Sequence, residues 1–292
     1  MHHVLANHAW YELTGPVTLV VTGLLCYWYI SKMIRSPHVS ATYTQRMYFF
    51  LAISLFFLVK GTPFAVIADH YLFSALLSQL SFMAFVIMPL FILSLPEQYV
   101  AAFFWNHRRA EAARLILNHP WFLAIMFNVL ISIYLIPPVF SVIHESTSLQ
   151  LLFEVLFMSL AFLTWWVIIQ PLTAVAGHSY FKRIVLVFFM AMFLMPAGFY
   201  LLVAQEPMYG TYATASSALL PVLTAVYDQQ AAGGVLKILQ LTSYAFALYY
   251  LLKRWGLREE KDEGNVNDDT RVVQGVVIQL NEYNQQKKGR KR

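Results

Sequence analysis

Charge is what this sequence has least of. Asp, Glu, Lys and Arg make up only 12% of its 292 residues, against about 25% in an ordinary soluble domain. That is too little charged surface to solvate a globule of this length, which excludes a soluble two-domain protein. Cysteine is almost missing: the single Cys26, inside an apolar run, excludes an internal disulfide framework and a Cys-rich metal site. No GxSxG, HExxH, P-loop or Rossmann pattern occurs, and no carboxylate pair stands at a catalytic spacing. His38, His107, His119 and His178 fall in loops or at helix ends, and no His falls mid-span, so two opposed haem ligands are lacking. An enzyme is therefore not expected.

What the chain does have is apolar length. Apolar and aromatic types reach 59%, and a helix needs roughly 20 such residues to cross a bilayer. Seven stretches qualify: 13–33, 48–68, 71–95, 121–143, 149–170, 184–204 and 231–252. They are continuously apolar rather than alternating, which predicts helices and not barrel strands. The reading is an all-α, polytopic membrane protein, a seven-transmembrane-helix bundle. No internal repeat stands out.

Lys and Arg alternate between connections. They occur after the first stretch (Lys32, Arg35, Arg46), after the third (Arg108, Arg109, Arg114), after the fifth (Lys182, Arg183) and after the seventh (Lys253, Arg254, Arg258). The segment before the first stretch and the three remaining connections carry none. The positive-inside rule then puts the N-terminus outside and the C-terminus inside. Residues 211–227 are apolar enough to compete as a span, but an eighth helix would turn the basic tail outward. They are read as an outer loop, folded back onto the bundle or forming a short surface helix. No removable leader is expected. Residues 1–255 form the membrane domain, and 256–292 are a polar inner tail expected to be disordered, in which 272–280 could order locally. Its basic end, 287–292, would be drawn to anionic lipid of the bilayer's inner leaflet.

Charges inside hydrocarbon are costly and usually face one another or a cavity. Lys60, Glu154 and Lys237 fall about 12, 8 and 9 Å below the outer ends of their spans at 1.5 Å per residue, and Gln79 about 12 Å. Asp69, His70, Glu145 and Asp228 stand just above, with Gln229 and Gln230 following. This predicts a buried polar layer in the outer half, with Glu154 pairing with Lys60 or Lys237. Separate snorkelling of each Lys is the competing reading. Pro63, Pro89, Pro137, Pro138 and Pro196 interrupt the same spans. Trp10, Trp121, Trp165, Trp166 and Trp255 are read as interface anchors or packing. For copper, the outer side offers His2, His3, His8, His70, His144 and Met208. Met1-His2-His3 also has the spacing of an amino-terminal copper(II) site, with a solvated His-rich end as the alternative.

The runs Lys60-Gly61-Thr62-Pro63 and Asp69-His70-Tyr71-Leu72-Phe73-Ser74-Ala75 with Gln79 resemble the second and third spans of the CtaG-like family. So do Met208-Tyr209-Gly210-Thr211-Tyr212, Asp228-Gln229-Gln230 with Gly233-Gly234, and Trp165-Trp166 through Pro171. Members are seven-span bacterial proteins of the cell membrane needed to assemble caa-type cytochrome c oxidase. The resemblance implies oxidase subunits as partners and possible copper delivery or insertion. One departure is clear: Leu76 stands where the family often carries His, and Leu80 where some members carry a second, so a metal-ligand corner is missing from the third span. A transporter or channel using the polar layer, and a receptor or scaffold signalling through its tail, remain alternatives. The few polar residues in the inner halves, Asn128 the main exception, disfavour a channel.

Overall fold

Proline and glycine punctuate the apolar stretches, and the helices break where they fall. The computed structural model describes residues 9, 13–36, 39–105, 107–172, 177–220, 222–263, 270–273 and 276–279. Helix α1 (Pro16–Tyr29) starts at a proline, whose missing N–H costs nothing there. It ends in a π-helical turn, Ile30–Ile34. Gly15, just before it, has φ +48°, and a Cβ there would meet the Cα of Gly61 at 2.9 Å. Only glycine lets α1 begin so close to the corner between α2 (Tyr43–Lys60) and α3 (Pro63–His70). That corner, Gly61-Thr62, bends the two helices by 52°. The start of α2 carries a reciprocal cap: Thr42 Oγ1 accepts from Gln45 N, and Gln45 Oε1 accepts from Thr42 N at 2.9 Å.

The third apolar stretch is α4 (Phe73–Ser81), a π-helical segment Phe82–Ile87, and α5 (Met88–Leu93). Pro89 explains the distortion. It has no N–H for Ala84 O, its π-helical partner, or for Phe85 O, its α-helical one. Both carbonyls are rescued by other helices: Trp165 Nε1 donates to Ala84 O at 2.8 Å, and Ser243 Oγ donates to Phe85 O. Trp165 and Trp166, at 4% and 7% exposure, thus pack inside the bundle and are not interface anchors.

Two short helices follow, α6 (Glu97–Phe103) and α7 (His107–Leu117). The fourth stretch breaks at Leu135–Ile136, ahead of Pro137-Pro138, into α8 (Pro120–Tyr134) and α9 (Pro137–Glu145). Helix α10 (Thr147–Ile169) ends at Gln170 in the left-handed region, φ 51°. Arg183, buried at 5% exposure, donates through Nη1 to the terminal carbonyls of Ile168 (3.1 Å) and Ile169 (3.4 Å). The sixth stretch is α11 (Tyr180–Phe193) and α12 (Met195–Leu202). Where the sequence reads as a loop over 211–227, the described residues form two short helices, α13 (Gly210–Ala213) and α14 (Ala215–Leu219), and the start of α15 (Ala225–Glu263). Gly233 lets α15 touch α12: a Cβ there would lie 2.8 Å from Leu201 Cβ and 2.9 Å from Gly198 O.

Among the described residues the fold is helical apart from one antiparallel pair in the tail, β1 (Thr270–Val273) with β2 (Val276–Gln279), Thr270 facing Gln279. Residues 1–245 form one compact unit and 246–292 another. Among the described residues, five helical segments are each long and apolar enough to cross a membrane, and the count reaches seven if each of two bent pairs is one span. One bent pair is α2 with α3, the other α7 with α8. This is a multi-pass membrane protein.

Trp165→Phe keeps much of the ring but strands Ala84 O. The expected loss is about 1–3 kcal/mol, read as a lower unfolding temperature in detergent. Adding Pro89→Ala restores an N–H to the strand of carbonyls and should recover part of that loss; no recovery would refute the assignment.

Candidate functional site

At the end of the bundle whose connections lack Lys and Arg, the site is built from helix ends. Lys60 is the last residue of α2, and Glu154 lies in the second turn of α10. Their Nζ and Oε1 atoms are 2.6 Å apart, at 17% and 28% side-chain exposure. Beside the pair, Gln79 on α4 is fully buried and donates to Val59 O at 2.6 Å, and Thr18 on α1 donates to Lys60 O at 3.2 Å. The ion pair therefore sits where α1, α2, α4 and α10 are already joined.

Lys237 does not take part. Its ammonium donates to Gln240 Oε1, one turn along α15, at 2.7 Å, and Gln240 Nε2 reaches Met190 O at 3.3 Å. The expected single layer is thus two separate fastenings. The reason is geometric: Gly198 leaves a groove in α12 that the stem of Lys237 fills, since a Cβ there would lie 2.3 Å from Lys237 Cδ. That contact aims the ammonium along α15 rather than toward Glu154.

The first turns of α15 supply a three-armed latch. Leu72, the residue before α4, offers that helix no side-chain cap. Asp228 caps it from α15, accepting from Phe73 N at 2.7 Å and Ser74 N at 3.2 Å, and from Ser74 Oγ. Gln229 Oε1 accepts from Met208 N at 3.0 Å, and Gln230 Nε2 donates to Ala204 O at 2.8 Å. Three consecutive residues so tie together α4, the preceding loop and the end of α12.

That loop is folded back onto the bundle through two buried tyrosines that the sequence reading did not single out as site residues. Tyr209 donates to Leu135 O at the end of α8 (2.6 Å), and its ring stacks on Phe73 at 4.0 Å. Tyr212 donates to Ala68 O at 2.7 Å. Their signal was the polar-tipped aromatic pair inside Met208–Tyr212, three residues apart. Burial pushes both phenols well above the ordinary tyrosine range.

Asp69 and His144 meet under this loop. His144 Nε2 donates to Asp69 O at 3.1 Å, and its ring stacks on Phe140 at 5.0 Å. Burial, partly offset by the Asp69 carboxylate, holds the imidazole below its ordinary pKa. Among the described residues, His144 Nδ1 and Asp69 Oδ1 are buried without a hydrogen-bond partner. His70 lies at the end of α3 with its ring edge-on to Tyr71 at 6.5 Å.

No group of three or more His, Cys, Asp or Glu able to hold a metal occurs among the described residues. His144 offers one nitrogen without a partner, and Met208 lies in the loop that Gln229 fastens. Leu76 and Leu80, each at 2% exposure, are packed in the apolar interior. His2, His3 and the amino-terminal motif lie outside the described residues.

Removing one member of the ion pair, by Lys60→Met or Glu154→Gln, leaves the other unpaired in a low-dielectric setting. The expected loss is up to about 3–5 kcal/mol. The double substitution Lys60→Met with Glu154→Leu should be milder than either single one in thermal unfolding, and additive losses would count against the pair. For the latch, Asp228→Ala should cost about 0.5–2 kcal/mol. Faster hydrogen exchange at the Phe73 and Ser74 amides would report it, and unchanged exchange there would sink the capping role.

Comparison with known proteins adds the family. A model described as cytochrome c oxidase caa3 assembly factor matches residues 32–257. That span includes the ion pair, the latch, both tyrosines and the Lys237–Gln240 pair. No curated protein and no solved structure matches the chain. With most of its length under that one match, the chain belongs to the family of cytochrome c oxidase caa3 assembly factors.

Proposed function

We propose that this protein acts in the bacterial cell membrane as a non-catalytic assembly factor that docks oxidase subunits. The observation that carries this reading is the family match over residues 32–257. The chain is read as seven spans with the N-terminus outside, because the Lys and Arg alternation along it is unbroken. The two bent helix pairs are compatible with that count. The membrane domain is residues 1–255, and the polar tail 256–292 lies inside.

In this reading the latched loop is the docking platform. Tyr209, Tyr212 and the Asp228–Gln230 run hold its backbone against the bundle, so a partner meets a preformed surface and little ordering entropy is lost on binding. Copper delivery is the finer possibility. It would have to draw donors from more than the bundle, since the described His, Cys, Asp and Glu residues assemble no three-ligand group. We therefore favour assembly through protein contact, with copper handling confined to His2, His3, His70, His144 and Met208 if it occurs.

A deletion strain separates these possibilities. Assembled caa3 oxidase should be lost from membrane difference spectra, and the copper content of its subunits should be measured with and without added copper. Restoration by copper supports delivery, and failure to restore supports contact alone. A normal spectrum with normal subunit copper would remove the assembly role.

A further inference from the structure

At the opposite, basic end, the bundle contains a long apolar groove. Two cavities of about 330 and 520 Å³ share Phe91, Phe162 and Leu163 as walls and so adjoin. Both volumes fall in the range of about 300–1,000 Å³ usual for small-molecule sites. The larger lies against the middle of α2, lined by Ala52, Ile53 and Phe56 together with Met88 and Met158. The smaller runs on past the end of α5 to α6 and α7, lined by Trp28, Tyr99, Phe103, Ile116 and Trp166 among others. No Asp, Glu, Lys, Arg or His lines either.

The rim differs from the walls. Arg109 lies on the same face of α7 as Ala113 and Ile116, which line the groove, and its guanidinium stands 5.0 Å over the ring of Phe103. Lys32 is one turn beyond Trp28 on the π-helical end of α1, and Arg35 follows it. Arg108 and Arg114 are on α7. The carboxylates on these elements are Glu97 and Glu111, and Glu111 faces His107 at 3.8 Å. The elements at this end of the groove therefore carry more cations than carboxylates, with Arg109 the one set over a groove-lining ring.

We propose that this groove is a binding site for an anionic phospholipid, with one acyl chain in the groove and the phosphate against Arg109. An unbranched hydrocarbon matches walls without ionisable groups. Its course, from the middle of α2 to a cationic rim, is that of a lipid chain from bilayer centre to headgroup. Basic pockets between spans are a recurrent means of selecting anionic headgroups. The site is distinct from the latch at the other end and does not depend on the oxidase reading.

The test uses the purified full-length chain in detergent, titrated with dioleoyl-phosphatidylglycerol or dioleoyl-phosphatidylcholine and read by native mass spectrometry. The wild type should retain one phosphatidylglycerol in preference to phosphatidylcholine. Arg109→Gln, an exposed position, should weaken that preference about fivefold. Ala113→Trp should fill the groove and abolish retention of both lipids. Equal retention of the two lipids by the wild type would overturn the proposal without reference to any variant. So would an Arg109→Gln protein that keeps the full preference.

Discussion

In hydrocarbon a backbone carbonyl cannot turn to water, so every break in a helix needs a donor from elsewhere in the protein. That constraint organises this structure. Pro89 frees two carbonyls, and Trp165 and Ser243 answer them from two other helices. The end of α2 is held by Gln79 and Thr18, the end of α3 by Tyr212, the end of α8 by Tyr209, and the end of α10 by Arg183. Trp165, Ser243, Gln79, Thr18, Tyr212, Tyr209 and Arg183 thus act as donors to specific breaks or helix ends. Each such bond also joins two elements, so the price of a kink becomes a tertiary contact.

The same logic gives physical content to the family-like motifs. In Asp228-Gln229-Gln230 each side chain reaches a different backbone segment, and Gly233 then brings α15 against the backbone of α12. The Lys60-Gly61-Thr62-Pro63 run makes a corner in which Pro63 starts α3 and Lys60 binds Glu154. Gly61 also offers the surface on which Gly15 rests. These motifs read as joints. The Asp228–Gln230 run meets the loop carrying Tyr209 and Tyr212, which is held to the bundle at Leu135 O and Ala68 O.

Much of the site could be seen in the residues. An isolated Glu154 in an apolar run had to find a cation, and Lys60 was one of two at a compatible depth. The rest was hidden for a common reason: a donor's partner here is a backbone carbonyl, and every residue has one. Nothing in the letters distinguishes Ala84 or Leu135 as an acceptor. Lys237 misled for a related reason. Its depth matched that of Glu154, but depth does not specify which side of a helix faces which neighbour, and Gly198 turned the side chain toward Gln240.

Composition and periodicity alone established a multi-pass helical membrane protein, because length and hydropathy are local properties and the bilayer acts on them directly. The places where helices break were equally local, since Pro and Gly act on their own backbone. Only the tertiary structure decided that α4 is capped from α15, that the ion pair excludes Lys237, and that an apolar groove opens beneath Arg109. Those outcomes depend on the rotation and approach of helices far apart in the chain, which packing sets and a one-dimensional pattern does not encode.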